Sequence, residues 1–393
     1  MKVYLDHAAT TATDKRVVEC MLPYMTETYG NASSLHSFGR DAAAAVDEAR
    51  AKIARIFHAK PQEIYFTSGG TESDNWAIRG VAYANRKFGK HIISTAVEHP
   101  AVMQTLKHLE KEGFEVTYLP TDTNGRVSFS DFEKAVRDDT VLVTVMFANN
   151  ETGMIQPIRE IGKYCKENGI VFHTDAVQAI GSIKIDVDEY GIDLLSLSAH
   201  KFHGPKGIGL LYIRNGVKID RLVFGGHQER TYRPGTTNTP GIVGMAKALE
   251  LTVSEMDESN EKVKKMRDHF VERVLKEIPY CKLNGGRENR LVGNANISFD
   301  FIEGESILMT LDLKGIAVSS GSACSSGSLE PSYVILATGA TMEEAHSSIR
   351  FSFGKDNTME ETDYAADMLR EVVGKLRSWS PLFKEIKGEE YHV

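Results

Sequence analysis

Leu194-Leu195-Ser196-Leu197-Ser198-Ala199-His200-Lys201-Phe202-His203-Gly204-Pro205-Lys206-Gly207 is the stretch on which the fold turns. A short apolar run closed by turn formers reads as a buried strand. Lys201 then stands at the strand's C-terminal edge, where open α/β sheets gather their ligands. A lysine amine placed there, partly shielded from water, is a nucleophile toward aldehydes. Taken alone, the stretch also reads as a plain strand followed by a surface lysine, so the surrounding chain decides.

Upstream the same pattern repeats. Residues 170–174 read as a strand ending at Asp175-Ala176-Val177-Gln178, and residues 140–147 as one ending in Ala148-Asn149-Asn150-Glu151-Thr152-Gly153. Residues 91–96 form a third, ending near Glu98-His99-Pro100. Helical patterns separate them, at about 100–112, 130–137 and 157–168, and residues 209–213 add a strand downstream. Strands alternating with helices imply right-handed crossovers and a largely parallel sheet, an α/β fold. His99, Asn150, Asp175 and Lys201 all fall at strand C-termini. Four polar side chains on one sheet edge read as a site.

Glu63-Ile64-Tyr65-Phe66-Thr67-Ser68-Gly69-Gly70-Thr71-Glu72 reads as strand, glycine turn and helix start. The first turn of a helix offers unpaired N–H groups and the positive dipole end, a seat for phosphate. The spacing matches neither a Walker loop nor G-x-G-x-x-G, which disfavours ATP and NAD. Before it, a helix is expected over 14–28 with Asp14 as cap, then one over 39–57 with Ala42, Val46, Ala49, Ile53 and Ile56 on one face. After the sheet, Gly225 to Asn238 is a polar, glycine-rich loop with many anion-binding groups. A charged helical stretch over 241–277 contains the domain change. An α+β pattern follows: a strand at 295–299 and helices at 304–313, 342–349 and 360–378. The expected division is a large domain, 15–255, and a small one, 1–14 with 256–393, ending in a polar, mobile tail.

The chain's 393 residues suffice for two domains, and 41% apolar with 25% charged residues is ordinary for a globular protein. Formal net charge is −8 and no basic stripe stands out, which speaks against nucleic acid. No apolar run approaches membrane-spanning length, and the N-terminus has the character of neither a signal nor a transit peptide. Cys20, Cys165, Cys281 and Cys324 lack Cys-x-x-Cys spacing, as in a thiol protein of a reducing cytosol without zinc or disulfides.

The chemistry-bearing residues fit one cofactor. Lys201 can form an imine, and Asp175 can hold a pyridine nitrogen protonated by a charge-assisted hydrogen bond. His99 can stack on a ring, while Thr71, Ser198 and His200 can bind a phosphate. Pyridoxal phosphate requires this set. Ser319-Ser320-Gly321-Ser322-Ala323-Cys324-Ser325-Ser326-Gly327-Ser328 has no hydrophobic anchor and reads as an exposed, mobile loop. An exposed cytosolic thiol signals use of its reactivity, here to carry sulfur between two places. Arg350, in the strand-like run Ser347-Ser348-Ile349-Arg350-Phe351-Ser352, can grip a carboxylate bidentately.

These motifs, with Tyr4-Leu5-Asp6-His7-Ala8-Ala9-Thr10-Thr11, Asn149-Asn150-Glu151-Thr152-Gly153 and Arg233-Pro234-Gly235-Thr236, occur in an order that carries a resemblance over nearly the whole chain. The sequence resembles the class V aminotransferase-type, fold-type I pyridoxal phosphate enzymes, and within them the cysteine desulfurases of the NifS/IscS group. The resemblance implies Lys201 as Schiff-base lysine and proton shuttle, Asp175 on the pyridine nitrogen, Gln178 on the phenolic oxygen and His99 on the ring, where it also serves as acid or base. It implies Gly70, Thr71, Ser198 and His200 around the phosphate, joined by Thr236 from the second subunit of a homodimer. Asn150 and Arg350 would orient the carboxylate of L-cysteine. Cys324 would be the nucleophile that receives the sulfur as a persulfide for an iron–sulfur scaffold or other acceptor protein, and a candidate shared ligand of an iron–sulfur cluster. His7, Gly70, Asp74 and Pro234 depart from the residues common at those positions, Asn, Ala, Asn and Ser. The alternatives within the resemblance are a selenocysteine lyase or another class V aminotransferase or lyase; outside it, a non-catalytic scaffold.

Overall fold

The computed structural model describes residues 1–320 and 330–387. The Cys324 loop and the end of the tail, with what is expected of them, lie outside those residues. After a short strand β1 (Val3–Tyr4), seven strands make the main sheet: β2 (Ile64–Thr67), β3 (His91–Thr95), β4 (Glu115–Leu119), β5 (Thr140–Thr144), β6 (Val171–Asp175), β7 (Leu194–Ser198) and β8 (Gly209–Ile213). Their order is β2-β8-β7-β6-β5-β3-β4. Pairs β3–β4, β3–β5, β5–β6 and β6–β7 are parallel, and β8 is antiparallel to both β2 and β7. Thus β8 alone runs against the rest. Its connection from β7 is a single 3-10 turn, Ala199–Lys201, and the Gly204-Pro205 segment. No helix crosses over, and a short return of this kind gives an antiparallel neighbour.

β7 and β8 are buried along their whole length and mostly apolar, as expected of strands covered on both faces. One cluster of buried side chains between Val17 and Leu249 packs on one face. Another, centred on Trp76, Ile92, Leu106 and Leu142, packs on the other. A separate cluster joins Val3 and Leu5 to residues from Val263 to Val373. It sits on a four-stranded antiparallel sheet built from β9 (Cys281–Asn284), β10 (Asn294–Phe299), β12 (Ser319–Ser320) and β13 (Ser348–Ser352), while β11 (Ile316–Ala317) pairs in parallel with β1.

The N-terminal helix is shorter than the pattern suggests. Asp14 caps Lys15–Met21 by accepting from the Arg16 N–H, but Pro23 starts a second helix, Pro23–Thr26. Likewise the long charged stretch is two helices, Thr239–Ser254 and Met256–Glu277, meeting at Glu255. The helix Ser37–Ile56 buries Ala42, Val46, Ala49 and Ile53, the face expected. Among the described residues no helix is long and apolar enough to cross a membrane.

Candidate functional site

β5, β6 and β7 point their C-terminal ends the same way, and the segments leaving them meet over one cleft. Gly70, Thr71, His99, Asn150, Asp175, Gln178, Ser198, His200, Lys201 and Arg350 all line this cavity of about 510 Å³. Thr236 does not. It is exposed, in a loop tied by Arg233 to Glu72 at 2.8 Å.

The phosphate end follows from local packing. The helix Gly70–Asn85 begins at Gly69, which has no side chain to cap it, so its first N–H groups face the cleft. A Cβ on Gly209 would lie 2.6 Å from Gly69 Cα, so glycine at the start of β8 is what lets the turn settle against that strand. Ser198 ends β7 beside it, and Thr71 stands exposed at the rim. His200 hydrogen-bonds Thr10 Oγ1 through Nδ1 at 3.1 Å. Burial and the nearby Lys201 and Lys206 push its pKa down to about 4, so it meets an anion as a neutral imidazole.

Lys201 Nζ donates to the carbonyls of Ala8 and Ala9 at 2.6 and 2.8 Å, and Gln178 Nε2 donates to the Ala8 carbonyl at 3.0 Å. The N-terminal segment is therefore laid across the mouth of the sheet and holds the amine in the cleft. His99 is the N-cap of the helix Pro100–Lys111 and accepts from the Ala101 N–H through Nδ1 at 3.1 Å, which fixes the ring plane. Asp175, the last residue of β6, is buried and accepts from the Val177 N–H at 2.9 Å. Burial raises its pKa; His99, the Val177 N–H and Lys201 pull it back.

At the other wall, Arg350 on β13 is buried. Its Nη2 donates to Asp6 Oδ1 at 2.9 Å and its Nη1 to the Asn150 carbonyl at 3.1 Å. Among the described residues its Nε is buried without a hydrogen-bond partner. An unpaired guanidinium donor at a cleft wall suits a carboxylate.

Three buried acids here were given no role by the sequence reading. Glu98 accepts from the Met146 N–H and the Thr95 hydroxyl, and burial pushes its pKa up to about 8. Glu151 accepts from the Ser332 hydroxyl and is raised to about 7 by burial, against the pull of Arg350 and His99. Asp74 lies on the helix face of Gly70, four residues on. That spacing was the available signal, since residues four apart on a helix share a face.

The donor set fits a phosphorylated pyridine aldehyde: an amine, a buried carboxylate, a ring-facing imidazole and a helix start meet in one cleft, with an orphaned buried guanidinium N–H beside them. Comparison with known proteins points the same way. The family described as aminotransferase class-V matches residues 3–364. A cysteine desulfurase IscS of Methanosarcina thermophila is 56% identical, over 97% of this chain and 94% of its own length. A solved structure described as a NifS-like protein superposes with a TM-score of 0.90 at 40% identity, covering 96% of this chain and all of that one. Another, described as SspA in complex with cysteine, has a TM-score of 0.81 at 36% identity over 91% of this chain and all of the other.

Proposed function

Because this chain belongs to the class-V aminotransferase family and is a cysteine desulfurase, we propose that its cleft holds pyridoxal phosphate on Lys201 and takes the sulfur of L-cysteine onto Cys324. The observation that carries the reading is the meeting of Lys201, Asp175 and His99 beneath an uncapped helix start. Bound pyridoxal phosphate supplies the electron sink for the charge left when the substrate loses its Cα proton. Lys201 Nζ is the amine that anchors the cofactor and then removes and returns that proton. Asp175 faces the ring nitrogen, and Gln178 the phenolic oxygen. His99 covers the ring and exchanges protons as acid or base. Gly70, Thr71, Ser198 and His200 hold the phosphate. Asn150 and the Nε of Arg350 orient the substrate carboxylate.

The net transfer is that of sulfur between two thiols. The C–S bond of cysteine breaks, an S–S bond forms on Cys324 Sγ, and alanine leaves. Cys324 then presents the outer sulfur to an acceptor protein, an iron–sulfur scaffold in this reading, with a cluster shared through Cys324 as a further state of that encounter. Two cores support the division into a large domain, 15–255, and a small one, 1–14 with 256–393. Exposed Tyr29, Leu35, Phe38 and Phe224, together with an exposed Thr236 that does not line its own cleft, support a homodimer in which Thr236 reaches the partner's phosphate. We place the enzyme in the cytoplasm, in keeping with its unpaired cysteines Cys20, Cys165 and Cys281.

The test compares wild type with Cys324→Ala for alanine release and protein persulfide from L-cysteine. Wild type is expected to make both, and the variant neither, while keeping its bound cofactor. Turnover by the variant at the wild-type rate would remove Cys324 from the reaction.

A further inference from the structure

Asp74 sits in the helix Gly70–Asn85, packed inward against the sheet and buried. One oxygen of Asp74, one nitrogen of His99 and one oxygen of Asp175 lie within 4.8 Å of one another. Two carboxylates this close and this dry do not both ionise; one keeps its proton. The surroundings decide which.

Asp175 has what an ionised carboxylate needs. It accepts from the Val177 N–H and faces His99 and Lys201. Asp74 has less: among the described residues the Ser196 hydroxyl is the one hydrogen-bonding group that favours its ionised form, and no cation faces it. Its Oδ1 has no hydrogen-bond partner among the described residues. The groups facing it from neighbouring elements are Asp175 and His173 on β6, Ser196 on β7, and Glu98 with His99 beyond β3. The nearest base is His173, whose Nε2 stands 3.7 Å from Asp74 Oδ1. That ring is already engaged by Thr144 at 2.8 Å and Ser196 at 3.0 Å, and complete burial pushes its pKa down to about 3. It brings no positive charge. Burial first, and then the charge of Asp175, push the Asp74 carboxyl well above the usual range.

We propose that Asp74 is a positioning residue for the cofactor's ring nitrogen: held as the neutral acid behind Asp175, it leaves Asp175 as the one ionised carboxylate at the base of the cleft. Asp74 lines the same cleft beside Asp175, and in this reading it acts through Asp175. A second negative charge there would raise the proton affinity of Asp175 and spoil its match to the ring nitrogen. The consequence for the ring nitrogen rests on the cofactor assignment made above; the protonation state of Asp74 does not.

The experiment uses the full-length enzyme with its cofactor. Infrared difference spectra between wild type and Asp74→Asn at neutral pH are expected to show loss of the C=O stretch of a neutral carboxylic acid. Loss of a carboxylate band in its place overturns the proposal. Glu98→Gln, which removes a different buried acid, identifies the second such band. If Asp74→Asn does not fold, wild type labelled with ¹³C-aspartate is read over a pH series; a neutral aspartic acid band at neutral pH supports the proposal and its absence overturns it. The Schiff-base absorbance is then titrated. Wild type is expected to show an alkaline step that Asp74→Asn lacks, and identical titrations would show that Asp74 does not govern Asp175. A wild-type protein without any Schiff-base absorbance would count against the cofactor assignment, while the infrared result would still stand.

Discussion

Arg350 and Asp6, 344 residues apart in sequence, form an ion pair at 2.9 Å that ties the first segment of the chain to strand β13 at the wall of the cleft. Arg350 is almost fully buried, so this bond and the one to the Asn150 carbonyl set the direction of the guanidinium.

Asp6→Asn leaves the fold's shape intact but removes the charge that fixes Arg350. A hydrogen bond to a charged group contributes about 1.5–3 kcal/mol. KM for L-cysteine is expected to rise by about tenfold for each 1.4 kcal/mol lost in binding, with a smaller change in kcat. Initial rates of alanine release measure both. A fall in kcat with KM unchanged would mean that Arg350 is positioned by something else.

Glu98 gives a pH prediction with a definite sign. Its folded pKa, about 8, lies above the ordinary value of 4.5. The folded state therefore holds a proton that the unfolded chain releases. This favours folding below pH 4.5 and is lost as pH rises through about 8. Glu98→Gln, which keeps the acceptor for Met146 and Thr95, is expected to flatten that loss. At pH 8 it should be more stable than wild type by up to a few kcal/mol. Urea unfolding of the two proteins at a series of pH values checks this, and parallel curves would refute it.

The loop that carries Thr236 is anchored by a nearly buried pair. Arg50 meets the Glu229 carboxylate with two bonds, at 2.6 and 2.8 Å, and Glu229 also accepts from the Phe66 N–H. Glu229, Arg230 and Thr231 all have positive φ, 44°, 55° and 72°. Left-handed backbone in non-glycine residues persists only where its surroundings impose it. Glu229→Ala strands the Arg50 charge and is expected to cost about 3–5 kcal/mol. A double-mutant cycle with Arg50→Ala should return a coupling of at least about 1 kcal/mol. Cofactor affinity, followed by absorbance, should fall in the same variant because Thr236 loses its place.

Lys201→Ala removes the amine that the carbonyls of Ala8 and Ala9 hold. The variant is expected to give no adduct on borohydride reduction, while the phosphate and ring contacts retain some cofactor non-covalently. Mass spectrometry of the reduced protein decides; an adduct in the variant would mean that another lysine serves.

Much of the site was legible because chain direction and polarity coincide. An apolar run ending in a polar residue is both a strand and a donor at its C-terminal edge, and His99, Asn150, Asp175 and Lys201 were placed on that logic. The reversal of β8 was not, because a largely parallel sheet leaves the direction of each strand open, and only the ten-residue, helix-free return from Ala199 to Ile208 fixes this one. The buried acids were hidden for a different reason. Asp74 and Glu98 look like polar residues at a helix start and a loop, and only tertiary packing takes their water away. The break at Glu255 was masked by helical periodicity on both sides of it.

The carbonyls that cradle Lys201 come from residues 193 and 192 positions earlier in the chain, and the guanidinium that closes the opposite wall comes nearly 150 positions later. Closing loops of that length has an entropic cost that only the finished packing repays. During synthesis the parallel sheet can assemble while the N-terminal segment still waits for β11, β13 and Arg350. The substrate wall of the cleft is thus completed late in the life of a nascent chain. A chain released before Arg350 is expected to hold the sheet and Lys201 yet leave Asp6 without its guanidinium partner and bind L-cysteine weakly.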